Sequence, residues 1–160
     1  MKVGASFLLI ICAFVVSGCT QSVSVPLREI ASEFVSYFAG KEILDPIFYP
    51  DKSEEERKRL KEELGKEIFN HIWADFGWRC KKGEGLRDCK TRITRGLREW
   101  TDLYTEEFVS LYSECREEEL HKKYQKNDIL KLFNGAEECV VAKDSRYKTL
   151  FELSRQIKTH

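Results

Sequence analysis

The residues of this 160-residue chain with the most chemistry to offer are six cysteines and three histidines. Cysteines form disulfides or bind zinc, and histidines bind metals or act as general bases. No two of the cysteines form a Cys-x-x-Cys pair, so their spacing does not favour a zinc site. The cysteines are Cys12, Cys19, Cys80, Cys89, Cys115 and Cys139.

Neither internal histidine has the partners that catalysis or metal binding requires. His71 lies between Glu67 and Asp75 at four-residue spacings, which could hold a metal on one helix face, but exposed histidines with surface carboxylates are commoner. Glu118-x-x-His121 is half of a di-iron pattern whose other half is missing. The chain also lacks a Gly-rich phosphate loop, a Gly-x-Ser-x-Gly elbow and a His-Glu-x-x-His motif. We therefore expect no enzyme activity, no metal and no cofactor.

The first residues have the layout of an export signal. Lys2 is followed by a run without charge from Val3 to Cys19, whose centre is strongly apolar and too short to span a bilayer comfortably. The run ends Val16-Ser17-Gly18-Cys19. This ending resembles the lipobox of bacterial lipoprotein precursors, and the resemblance covers residues 1–20 only.

The resemblance implies that residues 1–18 are removed and that Cys19 carries the lipid, with acyl chains on its thiol and on the new amino terminus. Thr20, rather than Asp, follows Cys19, which implies the outer membrane if the source is Gram-negative. An ordinary secretory signal cut at Gly18 or Cys19, or an uncleaved anchor, is the other interpretation. Residues 19–26 form a polar tether that reaches about 25 Å at roughly 3.4 Å per residue.

The mature chain reads as one all-α domain over residues 27–160. Apolar residues recur at steps of three and four in every long segment, and no segment alternates as a strand does. We predict a compact bundle of four to five helices, one of them long. The predicted helices span about 27–39, 54–76, 91–122 and 145–158, and a further helical run carries Ile129 to Val140 with an interruption at Asn134-Gly135. Between the first two, Ile47, Phe48 and Tyr49 form an apolar plug.

The four cysteines left in the mature chain can pair in three ways. Removal of Cys12 and acylation of Cys19 leave an even number in an oxidising compartment, which favours disulfides. Cys89 and Cys115 lie 26 residues apart on one predicted helix, about 39 Å at 1.5 Å per residue, and cannot pair. The pairs that close short loops are Cys80–Cys89 and Cys115–Cys139. Reduced thiols or a zinc site are the alternatives.

Charge is balanced over the chain but segregated along the long helix. The chain has 27 basic and 27 acidic residues, which argues against a general nucleic-acid binder. Residues 79–98 sum to +6 and residues 99–119 to −7, the reverse of what the helix dipole favours. Cross-helix pairing could neutralise the acidic stretch through Lys122, Lys123, Lys126 and Lys131.

The basic stretch has no equally dense acidic neighbour in the predicted bundle, since the helix before it has its acids at the far end. We therefore predict a recognition surface, the basic loop, between residues 78 and 92. A solvated cap without a partner is the alternative. The basic loop consists of Trp78, Arg79, Lys81, Lys82, Arg87, Lys90 and Arg92.

These features favour a lipid-anchored, non-catalytic protein of the bacterial envelope that binds a macromolecular partner at the membrane surface. In size, helicity and disulfide use the chain is similar to the small helical pilotins of secretion systems, although no diagnostic motif supports that likeness; an exclusion or immunity role is a second version. The alternative function is a carrier of a small apolar or lipid ligand, in a cleft lined by Trp73, Trp100 and Phe108.

Overall fold

The structure, a computed structural model, describes residues 26–72, 79–122 and 128–158, which are helical nearly throughout and contain no strand. The all-α prediction is therefore confirmed. Six α-helices and two short 3₁₀ turns follow one another in the described residues. They are α1 (Leu27–Ala39), a 3₁₀ turn (Glu42–Leu44), α2 (Asp45–Phe48), α3 (Glu54–Ile72), α4 (Leu86–His121), α5 (Ile129–Lys143), a 3₁₀ turn (Ser145–Tyr147) and α6 (Lys148–Lys158).

A capping box starts α3, as the sequence indicates. The Glu56 backbone N–H donates to Ser53 Oγ at 3.3 Å, and the Ser53 N–H donates to Glu56 Oε2 at 3.2 Å. These bonds satisfy two backbone donors that the first turn would otherwise leave unpaired. The Ser53 N–H and the Ser53 hydroxyl both donate to the Glu56 carboxylate and hold its pKa below the usual value. The predicted extension of this helix from residue 73 to 76 lies outside the described residues.

The segment between α1 and α3 fills the core, as predicted, but part of it is helical rather than a loop. Phe48 and Tyr49 are fully buried, whereas Ile47 is half-buried. Lys61 Nζ contacts Asp45 Oδ1 at 2.7 Å, with the lysine side chain 3% exposed. This buried ion pair ties α3 to the start of α2 and so fixes where the plug enters the core.

The helix α4 is the longest described element, with 36 residues and a length of about 54 Å. It begins at Leu86, not near residue 91, because Gly85 is extended and Cys89 is already buried in the first turn. The predicted apolar face packs inward along its length. Its buried or half-buried members are Ile93, Leu97, Trp100, Tyr104, Phe108, Leu111 and Cys115.

The two halves of α4 pack against different helices. The first half lies against α1, where the Phe34 and Trp100 ring centroids are 6.2 Å apart. The second half lies against α5, α6 and the plug, and Phe108 stacks on Phe48 at 5.4 Å and meets Phe151 edge-on at 5.5 Å. One rigid helix therefore joins two clusters of aromatic contacts.

Both predicted disulfides are present. Cys80–Cys89 closes the connection before α4 and Cys115–Cys139 joins α4 to α5. The predicted interruption at Asn134-Gly135 is wrong, because α5 runs unbroken through both residues. Gly135 instead allows a close approach between helices, since a Cβ there would overlap the buried carboxylate of Glu119.

Candidate functional site

The basic loop is held at the start of α4 by the disulfide and by one carboxylate. Glu84 accepts hydrogen bonds from the Lys81 backbone N–H at 2.8 Å and from Arg92 Nε at 2.8 Å. Gly83 lies between Lys81 and Glu84 in the sequence and has a φ of 82°, which residues with a side chain rarely adopt. Arg92 also donates to the Arg79 carbonyl at 3.1 Å. The disulfide and the contacts of Glu84 and Arg92 therefore hold the loop as a closed turn.

These contacts change the titration of the bracing groups. The hydrogen bond from Arg92 and that from the Lys81 backbone lower the pKa of Glu84 to about 2. The same carboxylate raises the pKa of the Arg92 guanidinium above its usual value. Arg92 is thus committed to an internal contact and is not available to a partner.

Lys90 is also committed to an internal contact. Its Nζ lies 2.6 Å from Glu29 Oε2 and 3.3 Å from Glu33 Oε1, both on α1. The prediction that the basic stretch has no equally dense acidic neighbour overlooked these two glutamates. It considered only the helix that precedes the loop in sequence, whereas α1 is the helix that packs beside it.

The remaining cations of the basic loop point outward. Arg79, Lys81, Lys82 and Arg87 are exposed. Within residues 26–72, 79–122 and 128–158, none of their side chains enters an ion pair, so their charges are available to an external anion. Trp78, the first residue assigned to the loop, lies outside the described residues.

The basic loop lies at the end of the bundle where the chain enters the fold. Glu29 contacts Lys90, and Tyr37 Oη donates to Asp102 Oδ1 at 2.9 Å, so α1 and α4 run in the same direction. Pro26 precedes Glu29 by three residues, about 4.5 Å along the axis, and is therefore level with the first turn of α4. We call this the near end of the bundle, and the end where α4 finishes the far end.

Two exposed leucines also mark the near end. Leu27, the first residue of α1, is 44% exposed, and Leu86, the first residue of α4, is 45% exposed. Single exposed leucines are common on protein surfaces. Their position among exposed cations gives the near end both apolar and positive groups.

Toward the far end, several acids of α4 are paired with cations of other elements. Lys143 on α5 contacts Glu114 at 2.8 Å and also contacts Glu118. Arg146 contacts Glu107 at 3.2 Å. Of the four predicted lysines, Lys122 contacts Glu119, an acid of the predicted stretch, and Lys131 contacts Asp128, the residue before α5. Lys123 and Lys126 lie outside the described residues.

Three residues of metal-ligating types lie close together in the described chain, but other contacts occupy them. Cys80, Glu84 and Cys89 approach one another, but the two sulfurs are joined in a disulfide and the carboxylate binds Arg92. Glu118 contacts Lys143, so it is not paired with His121 for a metal. His71 is exposed on α3, and the Asp75 expected beside it lies outside the described residues.

Of the three residues predicted to line the cleft of a carrier, Phe108 is fully buried in the core, and Trp73 lies outside the described residues. Trp100 does border a cavity of about 360 Å³, together with residues of α3, α4 and α6. Its other lining residues are Ile68, His71, Ile72, Tyr104, Arg146, Thr149 and Leu150.

No described helix has the length and apolar composition needed to cross a membrane. The predicted lipid-bearing residue, Cys19, and the signal segment before it lie outside the described residues. The chain has no match among protein-family models, curated proteins or solved structures.

Sequence reasoning found the basic loop and its disulfide but missed two features of the site. One is the pairing of Lys90 with α1, which the Glu29-x-x-x-Glu33 spacing on one helix face could have suggested. The other is the placement of Leu27 and Leu86 at the same end, which depends on the direction of α1 relative to α4 and has no signal in the sequence.

Proposed function

We propose that this chain is a lipid-anchored, non-catalytic protein of the bacterial envelope that binds a macromolecular partner at the membrane surface, in an assembly role or an exclusion role. The signal-like segment ending in Val16-Ser17-Gly18-Cys19 supports the anchor. The observation that carries the binding role is the set of four exposed cations, Arg79, Lys81, Lys82 and Arg87, on a braced loop beside the point where the chain enters the fold.

The bracing supports recognition rather than a merely solvated surface. A flexible charged loop loses entropy when it binds, whereas a loop already closed by a disulfide and by Glu84 loses less. The two cations that are held internally, Lys90 and Arg92, fix the loop, and the four exposed cations present charge. The partner of this surface therefore carries negative charge.

Acyl labelling tests the anchor. Cells expressing the full chain are grown with an alkyne-bearing fatty acid, and the protein is isolated and tagged. We expect label on the wild type and none on Cys19→Ala, because the thiol and the new amino terminus are the acylated groups. Equal labelling of both proteins would contradict the anchor.

Photo-crosslinking in intact envelopes tests the binding surface. A benzophenone amino acid replaces Leu86, which lies among the exposed cations. We expect adducts that disappear in Lys81→Glu/Lys82→Glu/Arg87→Glu and persist in the matched control Lys58→Glu/Lys66→Glu/Arg116→Glu, whose residues are exposed on α3 and on the acidic half of α4. Adducts unchanged by the first triple variant would make the loop a solvated cap.

The carrier function is a second candidate, because Trp100, Ile68 and Leu150 border the cavity of about 360 Å³. An apolar ligand or lipid that copurifies with the protein, and is lost on Leu150→Arg, would favour the carrier. Recovery of the purified protein without such a ligand would rule out the carrier function.

A further inference from the structure

The near end of the bundle carries an excess of positive charge. Residues 26–33 and 79–92 contain seven cations and four carboxylates, a local sum of +3. The four carboxylates are Glu29, Glu33, Glu84 and Asp88. Three of them are already paired with Lys90 or Arg92, so the charge presented outward is dominated by Arg28, Arg79, Lys81, Lys82 and Arg87.

The position of this charge is set by the helices, not by the loop alone. The parallel packing of α1 and α4 brings Leu27 and Leu86 to the same end as the exposed cations. A chain of seven residues, from Thr20 to Pro26, separates this end from Cys19 and reaches about 25 Å when stretched. A lipid on Cys19 would therefore keep the near end within that distance of the bilayer.

We infer that the near end docks on the anionic phospholipid headgroups of the membrane that holds the anchor, so that the partner of the basic loop is the lipid surface itself. The cations face lipid phosphates, Leu27 and Leu86 enter the interfacial layer, and α4 points its acidic half away from the membrane. This inference rests on the proposed lipid anchor at Cys19.

Three observations favour a lipid surface over an acidic protein. The exposed cations are interspersed with exposed leucines, which suits the boundary between phosphates and acyl chains. A short tether makes contact with the bilayer nearly intramolecular, which raises the effective concentration of headgroups at the loop. The acidic half of α4 is repelled by an anionic surface, so the charge segregation along α4 favours one orientation.

The size of the effect follows from the number of cations. A Lys or Arg near an anionic membrane surface contributes about 1 kcal/mol, which is about fivefold in the ratio of docked to undocked protein. Lys81→Gln/Lys82→Gln/Arg87→Gln should therefore lower that ratio roughly a hundredfold. The acyl anchor itself is unaffected, so the variant stays in the membrane and only its orientation changes.

The test uses the full acylated protein, purified and reconstituted in vesicles of phosphatidylcholine alone or of equal parts phosphatidylcholine and phosphatidylglycerol. A benzophenone amino acid replaces Leu86, or Leu103 as a reference. Leu103 is 60% exposed on the same helix and lies about 25 Å further along it. The amount of lipid crosslinked at each position is measured by mass spectrometry.

We expect lipid adducts at position 86 in vesicles with phosphatidylglycerol, few at position 103, and few at either position in phosphatidylcholine alone. The adducts at position 86 should fall to the level of position 103 in Lys81→Gln/Lys82→Gln/Arg87→Gln and persist in Lys58→Gln/Lys66→Gln/Arg116→Gln. Equal lipid adducts at positions 86 and 103, or adducts indifferent to phosphatidylglycerol, would overturn the inference.

Failure of this inference and failure of the proposed function are distinguishable. If position 86 forms protein adducts in intact envelopes but no lipid adducts in vesicles, the loop binds an acidic protein and the lipid surface is excluded as its partner. If Cys19 is not acylated, the anchor fails before the loop is tested, because the labelling experiment reads only that residue.

Discussion

The two halves of α4 balance their charge in different ways. Part of the acidic half is paired at the surface, where Lys143 and Arg146 contact Glu114 and Glu107 from other elements. The basic half has internal partners for Lys90 and Arg92 but leaves Arg79, Lys81, Lys82 and Arg87 at the surface. A helix can carry a charge pattern that its own dipole disfavours when some of its charged side chains form tertiary ion pairs and others are exposed to solvent.

The halves also differ in how they are cross-linked. Cys80–Cys89 closes a local loop of 9 positions beside the basic half, whereas Cys115–Cys139 joins two helices across 24 positions. The first disulfide shapes a surface, and the second holds two packed helices together. The comparison predicts that disruption of the acidic half costs more global stability than disruption of the basic half, and that only the latter also impairs binding.

Removal of the disulfides should have the largest effect on stability. The loop-entropy relation gives a loss of about 3.5 kcal/mol in the free energy of unfolding for Cys115→Ser/Cys139→Ser and about 2.7 kcal/mol for Cys80→Ser/Cys89→Ser. Urea unfolding followed by circular dichroism measures both. A larger loss from the Cys80–Cys89 pair would contradict the assignment of global stability to the acidic half.

Alanine substitutions at two helical glycines should change the free energy of unfolding in opposite directions. Gly135→Ala places a Cβ against the buried Glu119 carboxylate and should cost about 1–2 kcal/mol in the free energy of unfolding. Gly96→Ala meets no described atom within 4 Å and should gain about 0.5–1 kcal/mol from helix propensity. Stabilisation by both variants in chemical denaturation would show that α4 and α5 are not closely packed at Gly135.

The smallest predicted effect is a pH dependence confined to the basic loop. The pKa of Glu84 is lowered to about 2 by Arg92 and the Lys81 backbone, so its bracing contacts are complete above the ordinary value of 4.5 and are lost as the pH falls toward 2. We expect the protection factors of the amides in residues 79–89, taken relative to the intrinsic exchange rate at each pH, to fall over that range. In Glu84→Gln, the amides of these residues should exchange faster at neutral pH, and their protection should no longer depend on acid. If the variant has the same pH profile as the wild type, Glu84 does not hold the loop.

Much of this fold could be predicted from periodicity and spacing. Ser53 and Glu56 specify a capping box, the apolar steps from Ile93 to Cys115 specify a long helix, and the disulfides follow from which loops are short. These features are local, or depend on distances along one helix, which the sequence states directly.

The predictions that failed have a common physical cause: each depended on which helix packs beside another. Lys90 contacts acids of α1, and Lys143 of α5 pairs with an acid of α4 as Lys122 does. Phe108 lies in the core, where Phe48 and Phe151 pack against it. Which helices pack together, and in which direction, depends on the whole bundle and has no local sequence pattern.

Hydrogen–deuterium exchange of the acylated protein on vesicles tests most directly which end of α4 faces the membrane. When phosphatidylglycerol is added to phosphatidylcholine vesicles, we predict slower amide exchange in residues 79–86 and no change in residues 107–119. The four exposed cations would then be covered by headgroups while the acidic half stays in water. Slower exchange in residues 107–119, or no change in residues 79–86, would contradict the account.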